Sequence, residues 1–127
     1  MVDLFLPNES EAQLLTGHKD PEQVLRAFAD LGLENTVIKL GSRGAAALRR
    51  GRLYTMASPD VEVVDTTGAG DAFDAGFLDA WLSGADIDEQ LRRACICGAL
   101  STRARGALTA LPFRDELVGV VEENSIL

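Results

Sequence analysis

Short β-rich runs alternate with segments of helical periodicity along the first part of this chain, and this alternation constrains the fold more than any other feature. The predicted elements are a strand over Val2–Leu6, a helix capped by Asn8 that runs through Leu15 and ends at Gly17, a helix over Asp20–Leu31 and a strand over Thr36–Leu40. Such alternation favours an α/β layer with parallel strands over a helix bundle or a β-sandwich.

Beyond Gly41 the pattern changes to a β-ribbon followed by helices. The predicted elements are a hairpin over Ala45–Met56 that turns at Arg50 and Gly51, a short strand over Val61–Val64, and helices over Asp71–Leu82, Asp88–Thr102 and about Arg114–Glu123. No repeat, low-complexity tract or linker interrupts the 127 residues, so the chain is interpreted as one unit over 1–127.

The charge balance excludes two classes of partner. Twelve Lys and Arg against twenty Asp and Glu give a formal net charge of −8, which disfavours binding to nucleic acid or to an acidic membrane surface. No apolar run approaches the roughly 18 residues that span a bilayer, and the start lacks the basic residues of a signal peptide, so we expect a cytoplasmic location. Cys95 and Cys97 fit buried packing better than a disulfide framework or a zinc site.

The most informative segment is Asp65–Phe77, which lies between a predicted strand and a predicted helix. Gly68 and Gly70 lack a Cβ, so the backbone can turn sharply and present several N–H groups at the positive end of the helix, where an anion is stabilised. Asp71 follows in the first helical turn, placed to accept a proton from a hydroxyl group. Phosphoryl transfer needs these two functions side by side; an Asp that only pairs with the helix dipole is the alternative.

Other glycine motifs fit this segment less well. It lacks the Gly-Lys-Ser/Thr of a Walker loop, and Phe73 stands where a dinucleotide fingerprint has its third glycine. The run from Asp65 to Gly68 also differs from the Asp-Thr/Ser-Gly of aspartic proteases, and no second copy supplies the required carboxylate pair.

Three segments together resemble a known family. Asp65–Leu78 is similar to the C-terminal signature of the ribokinase/PfkB carbohydrate kinases, Leu6–Gly17 to that family's Asn-x-x-Glu segment, and Ile38–Ala45 to its nucleotide-binding strand and turn. The motifs occur in the family's order. The resemblance implies an α/β fold, namely a partial ribokinase-like (Rossmann-like) three-layer α/β/α domain that lacks its N-terminal strands and lid.

The resemblance also implies an activity, the ATP-dependent transfer of the γ-phosphoryl group to the hydroxymethyl group of a small sugar. The implied catalytic base is Asp71, and the implied anion hole consists of the amides of Gly68, Ala69, Gly70 and Asp71. The residues implied to line the ATP site are Lys39, Gly41, Ser42 and Gly44. Those implied to hold metal ions are Asn8 and Glu11 for Mg²⁺, and Asp65 and Thr67 for the monovalent cation, such as K⁺, of potassium-activated members.

Several of these assignments have a plain alternative. Asn8 and Glu11 also have the spacing of a helix cap. Lys39, where many members of the family carry Thr, fits either a phosphate contact or a surface ion pair. Arg103 and Arg105 fit a solvated turn better than a phosphate contact, and the segment 98–107 matches the family too loosely to assign cation ligands.

The resemblance covers only the C-terminal part of the family's chain. The family's remaining part supplies most sugar contacts, so the sugar cannot be identified, and we expect this chain alone to be a poor kinase. Two other hypotheses stay open. The chain is either a truncated, catalytically inactive product that retains nucleotide binding, or an assembly fragment whose exposed sheet edges recruit another chain, including a second copy of itself.

Overall fold

The structure is a computed structural model that describes residues 4–103 of the chain. The predicted helix over residues 114–123 and the arginine Arg105 lie outside the described residues. Contacts within the chain divide it into two compact units, Met1–Ala57 and Ser58–Leu127, which are described in turn.

The first unit contains two helices and a three-stranded sheet. In chain order its elements are α1 (Glu9–Thr16), α2 (Pro21–Asp30), β1 (Val37–Lys39), a 3₁₀ turn (Gly41–Arg43), β2 (Ala45–Arg49) and β3 (Arg52–Met56). The side chains of Asn8 and Asp20 cap the two helices by accepting hydrogen bonds from backbone N–H groups of the first turn. Both predicted helices and the predicted hairpin are therefore confirmed.

The sheet of the first unit is antiparallel and has the order β1-β2-β3. Ile38 pairs with Ala46, and Ala46 pairs with Thr55 on its other side. The hairpin turns at Arg50 and Gly51, whose φ angles of 52° and 78° are those of a two-residue turn that matches the twist of the strands.

Parallel pairing is confined to the segment that precedes α1. Phe5 pairs with Thr36 and Asn8 pairs with Lys39 as isolated parallel bridges. The predicted first strand thus runs parallel to β1, as the alternation indicated, but its described part forms a single bridge rather than a continuous ladder. Because both segments run in the same direction, the start of α1 and the turn after β1 lie at the same end of this pair.

The core of the first unit is formed by residues of α1, α2 and the sheet. Phe5 and Phe28 meet edge to face with ring centroids 5.3 Å apart. The buried residues of this core are Ala12, Val24, Leu25, Phe28, Ile38, Ala46 and Leu48. Val24, Leu25 and Phe28 of α2 are the residues whose helical spacing predicted a single buried face, and all three are buried.

The described part of the second unit, residues 58–103, contains a pair of helices, α3 (Ala69–Leu82) and α4 (Ile87–Ser101). Both were predicted, but the strand predicted over Val61–Val64 is wrong, since those residues form a loop. Val63 and Val64 are more than half exposed, and the N–H groups of Val64 and Asp65 both donate to the carbonyl of Thr102 rather than to a neighbouring strand. A β-branched run needs a partner strand, and none pairs with it among residues 4–103.

The two helices of this unit pack closely at Gly76. A Cβ at that position would lie 2.7 Å from the Cys97 sulfur and 2.9 Å from the Arg93 carbonyl, so only glycine fits this contact. Cys95 and Cys97 are buried thiols that form no disulfide, which confirms their predicted packing role, and burial raises the pKa of each to about 11. None of the described helices is long and apolar enough to cross a membrane.

Candidate functional site

The N-terminus of α3 is built around Gly68. This residue adopts the left-handed conformation, with φ 78° and ψ 3°, and gives the helix a start without a side-chain cap. The Ala69 N–H donates to the Thr66 carbonyl at 3.1 Å. Within residues 4–103, the N–H groups of Gly68, Gly70 and Asp71 have no acceptor.

Three unengaged donors at the positive end of a helix fit a bound anion. Of the four amides predicted to form the anion hole, that of Ala69 already donates within the turn, whereas those of Gly68, Gly70 and Asp71 have no acceptor in the described part of the chain. Asp71 is the third residue of α3, and its exposed carboxylate has no partner in the part of the chain that the structure describes. A carboxylate and the donors for an anion thus lie within four consecutive residues.

The loop before α3 is held at both ends. The Asp65 carboxylate accepts a hydrogen bond from the Thr67 N–H at 2.8 Å, which forms a turn directly ahead of Gly68. The Thr102 carbonyl at the end of α4 accepts the N–H groups of Val64 and Asp65 at 2.7 and 3.0 Å. These bonds fix the backbone on which the α3 N-terminus rests.

Asn8 and Glu11 form a reciprocal capping box at the start of α1. The Asn8 Oδ1 accepts a hydrogen bond from the Glu11 N–H at 2.8 Å, and the Glu11 Oε1 accepts one from the Asn8 N–H at 3.0 Å. The plain alternative from the sequence, helix capping, is therefore present. Both residues are exposed, so their hard oxygen donors remain chemically suited to Mg²⁺.

The turn after β1 contains the other predicted nucleotide-site residues. The Leu40 N–H donates to the Gly44 carbonyl at 2.8 Å, and the Gly44 N–H donates to the Gly41 carbonyl at 3.1 Å. Gly41 and Ser42 are exposed, and a Cβ built on Gly41 would meet nothing within 4 Å. This face of the turn has open space for a ligand.

Gly44 has a different task from Gly41. Its φ is 105°, and a Cβ there would lie 1.8 Å from the Met56 carbonyl oxygen, so the glycine lets the turn pack against the end of β3. Lys39 is half-buried, and its N–H donates to the Pro7 carbonyl at 3.0 Å. That bond joins the strand before the turn to the segment that leads into α1.

The structure therefore brings the predicted residues together in two groups, one in each unit. The first group is Asn8, Glu11, Lys39, Gly41, Ser42 and Gly44, and the second is Asp65, Thr67, Gly68, Ala69, Gly70 and Asp71. Among the described residues, no three His, Cys, Asp or Glu side chains come together as a metal-binding group.

Sequence reasoning missed one contact of the first group. The Arg43 guanidinium, in the Gly41–Arg43 turn, forms an ion pair with the Glu9 carboxylate at the first residue of α1. The only signal in the sequence is that two opposite charges occur inside two separate motifs, which does not by itself predict a contact.

Comparisons with known proteins show the family of the chain. The sequence model of the pfkB family of carbohydrate kinases matches residues 1–114. The chain is 35% identical over 127 residues to the ribokinase of Haemophilus influenzae, covering 96% of this chain and 42% of that protein. The chain belongs to the pfkB family of carbohydrate kinases.

Solved structures confirm the ribokinase-like α/β fold. The Arabidopsis thaliana ribokinase complexed with ribose and ATP superposes with a TM-score of 0.87 at 35% identity, covering 95% of this chain and 41% of that one. A double-mutant fructokinase from Vibrio cholerae, with fructose, ADP and potassium ion bound, gives a TM-score of 0.84 at 35% identity, covering 93% of this chain and 40% of that one. The chain thus spans less than half the length of the relatives that it matches.

Proposed function

We propose that this chain supplies the nucleotide site, the anion hole and the catalytic base for ATP-dependent phosphorylation of a sugar hydroxymethyl group. The family assignment supports the reaction class, and the relatives crystallised with ATP or ADP and a sugar support the two substrates. The observation that carries the proposal is the start of α3, where three N–H donors without an acceptor among residues 4–103 adjoin the exposed Asp71 carboxylate.

The proposed chemistry uses that juxtaposition directly. Asp71 accepts the proton of the sugar hydroxyl while the hydroxyl oxygen forms its bond to the γ-phosphorus and the bond to the β-phosphate oxygen breaks. The N–H groups of Gly68, Gly70 and Asp71 donate to phosphate oxygens, where negative charge must be stabilised during the transfer. Preformed donors need no rearrangement at that moment, because the Asp65 turn and the Thr102 carbonyl already fix the backbone.

The first unit serves nucleotide binding in this proposal. The open face of the turn at Gly41 and Ser42 receives the nucleotide, Gly44 holds the turn against β3, and Lys39 adds positive charge nearby. Asn8 and Glu11 hold water molecules or the metal through their exposed oxygens. Mg²⁺, when bound with the nucleotide, supplies charge neutralisation on the phosphates, and it commonly takes one or two protein oxygens beside phosphate and water.

The monovalent cation of the proposal belongs to the second unit. Asp65 and Thr67 precede the anion hole by one to three residues, and a cation held by their oxygens adds positive field beside the transferring group. A relative crystallised with potassium ion supports the choice of K⁺.

The decisive test is Asp71→Asn, in the chain as it is and in the chain joined to the N-terminal portion of the Haemophilus influenzae ribokinase. We expect the joined protein to release ADP in a sugar-dependent manner, and Asp71→Asn to lower kcat by about 10²–10⁴-fold because general base catalysis has that magnitude. Binding of Mg-ATP, measured by calorimetry, is expected to change little. Unchanged turnover in the variant would remove Asp71 from the role of base.

Asp88→Asn is the matched control for this experiment. Asp88 is an exposed carboxylate in the first turn of α4, so its removal changes a helix N-terminus without touching the α3 donors. A loss of turnover of similar size in both variants would point to a helix-dipole effect. Nucleotide binding with no turnover in the joined protein would favour the second candidate, a nucleotide-binding chain without phosphoryl transfer.

A further inference from the structure

The Arg43–Glu9 ion pair connects two motifs that are 34 residues apart in the sequence. Arg43 is the last residue of the Gly41–Arg43 turn, and Glu9 is the first residue of α1, directly after Asn8. The two partners therefore join the proposed nucleotide turn to the segment proposed to place Mg²⁺. Both residues belong to the first unit.

The turn is a short element. It contains three exposed residues, of which Gly41 is the first, and Gly44 follows directly after the last; both glycines have positive φ angles. Its backbone hydrogen bonds include those from the N–H groups of Leu40, Arg43 and Gly44 to the carbonyls of Gly44, Leu40 and Gly41, all within residues 40–44. Such a turn opens locally at low cost in free energy, so a side-chain contact to a neighbouring helix is well placed to restrict it.

The helix side of the contact is rigid by comparison. The capping box of Asn8 and Glu11 fixes the first turn of α1, and the Lys39 N–H bond to the Pro7 carbonyl ties the preceding segment to β1. Glu9 therefore presents its carboxylate from a defined position. Its side chain is 29% exposed and that of Arg43 is 62% exposed. The pair therefore stabilises the contact between the turn and α1 by the amount typical of a surface ion pair.

We propose that Arg43 is a positioning residue, whose ion pair with Glu9 holds the nucleotide turn in register with the start of α1 before Mg-nucleotide binds. This inference rests on the proposed function. Mg²⁺ bound with a nucleotide has to meet the Asn8 and Glu11 oxygens while the nucleotide meets the turn, so a fixed spacing between the two segments lowers the entropy cost of binding. Arg43 acts through Glu9 and touches neither ligand.

The first measurement needs no nucleotide. Amide hydrogen exchange by NMR is recorded for Leu40 and Gly44 in the 127-residue chain, in Arg43→Ala, in Glu9→Ala and in the double variant. We expect exchange at both amides to be about two- to five-fold faster in each single variant, the range that a surface ion pair provides. The double variant is expected to match the single variants, because all three lack the same contact.

The Glu22–Arg26 pair is the matched control. It is also an exposed ion pair that begins in the first turn of a helix, with a distance of 2.9 Å, but it lies entirely on α2 and does not touch the turn. Glu22→Ala and Arg26→Ala are expected to leave exchange at Leu40 and Gly44 unchanged. Unchanged exchange in the Arg43 and Glu9 variants as well would overturn the proposal.

The second measurement is the dissociation constant of N-methylanthraniloyl-ADP with and without Mg²⁺. We expect the dissociation constant measured with Mg²⁺ to rise about two- to five-fold in Arg43→Ala, in Glu9→Ala and in the double variant. The gain in ADP affinity on adding Mg²⁺ is therefore expected to be smaller in all three variants than in the parent chain. A change in folding stability alone would not alter that gain. If Arg43→Ala still weakens binding when Glu9 is already Ala, Arg43 contacts the nucleotide itself and the positioning role is wrong.

The two measurements separate this inference from the proposed function. If the parent chain binds no ADP at any Mg²⁺ concentration, nucleotide binding by this chain fails, whereas the exchange rates still decide whether Arg43 and Glu9 fix the turn. If ADP binds and neither exchange nor affinity responds to the variants, the inference alone fails.

Discussion

Asn8 and Glu11 each accept a hydrogen bond from the other's backbone, at 2.8 and 3.0 Å, at the start of α1. This relationship explains the Asn-x-x-Glu spacing completely as a helix cap, so the spacing alone is no evidence for a metal. What remains to be tested is whether the charge on Glu11 has a second use. The two roles can be separated, because capping needs an oxygen and metal binding benefits from a charge.

Glu11→Gln is expected to keep the cap and to lose the charge. The Gln side-chain oxygen still accepts from the Asn8 N–H, so the free energy of unfolding is expected to stay within about 0.5 kcal/mol, while Glu11→Ala lowers it by about 1 kcal/mol. Urea unfolding measures both values. If Glu11 places Mg²⁺, the Mg²⁺-dependent gain in ADP affinity falls in both variants.

The control for Glu11 is Glu22→Gln, which removes a carboxylate from the first turn of α2 instead. It is expected to leave the Mg²⁺ dependence of ADP binding unchanged. A Glu11→Gln variant with the parent's Mg²⁺ dependence would leave Glu11 with capping as its only role.

Gly44→Ala is expected to destabilise the chain strongly. The new Cβ would overlap the Met56 carbonyl oxygen at 1.8 Å in a backbone conformation with φ 105°, so the turn or the end of β3 must move. We expect a loss of at least about 2 kcal/mol in the free energy of unfolding, measured by urea denaturation.

Gly51→Ala is the matched control for Gly44. Its φ is also positive, at 78°, but a Cβ there meets nothing within 4 Å. The loss is expected to be about 1 kcal/mol, from backbone strain alone. Equal losses in the two variants would contradict the steric explanation for Gly44.

The sequence predicted the helices because their determinants are local. Asn8 and Asp20 cap helices through residues three positions away, and the apolar spacing of Val24, Leu25 and Phe28 defines the buried face of α2 without reference to the rest of the chain. The hairpin was predicted for the same reason, since Arg50 and Gly51 provide its turn.

What the sequence did not predict depends on distant residues. The three valines at positions 61, 63 and 64 give their segment strand propensity, but the Val64 N–H donates to the Thr102 carbonyl, about forty residues later, instead of to a neighbouring strand. The Arg43–Glu9 pair is likewise a contact between separate motifs. In the candidate site, the sequence predicted an anion hole of four amides, but only the geometry shows that the Ala69 N–H already donates to the Thr66 carbonyl.

The buried thiols predict a loss of stability at high pH. Burial raises the pKa of Cys95 and Cys97 from 9.0 to about 11, with a Coulombic contribution from Asp79 in the case of Cys97. Well below pH 9 both thiols are protonated whether the chain is folded or unfolded, so they add no pH dependence there. Between pH 9 and 11 the unfolded chain releases protons that the folded chain retains, and the free energy of unfolding falls as the pH rises.

Urea unfolding between pH 8 and 10.5 measures this fall. The slope due to each thiol is at most about 1.4 kcal/mol per pH unit. The Cys95→Ala/Cys97→Ala double variant is expected to show a shallower decline, because the two proteins differ only in these thiols. Identical slopes would mean that the folded thiols titrate normally.

Asp65→Asn is expected to separate the turn before α3 from the proposed cation site. The Asn Oδ1 can still accept from the Thr67 N–H, and the Asp65 N–H bond to the Thr102 carbonyl involves only backbone, so the loop keeps its conformation. Asp65→Ala removes the acceptor and is expected to cost about 1 kcal/mol of unfolding free energy, the usual contribution of such a hydrogen bond.

If the Asp65 charge holds K⁺, both variants lose the difference in ADP affinity between potassium and tetramethylammonium buffers of equal ionic strength. A potassium effect that survives in Asp65→Asn would show that the charge is not needed, and one absent from the parent chain would remove the cation from the proposed site.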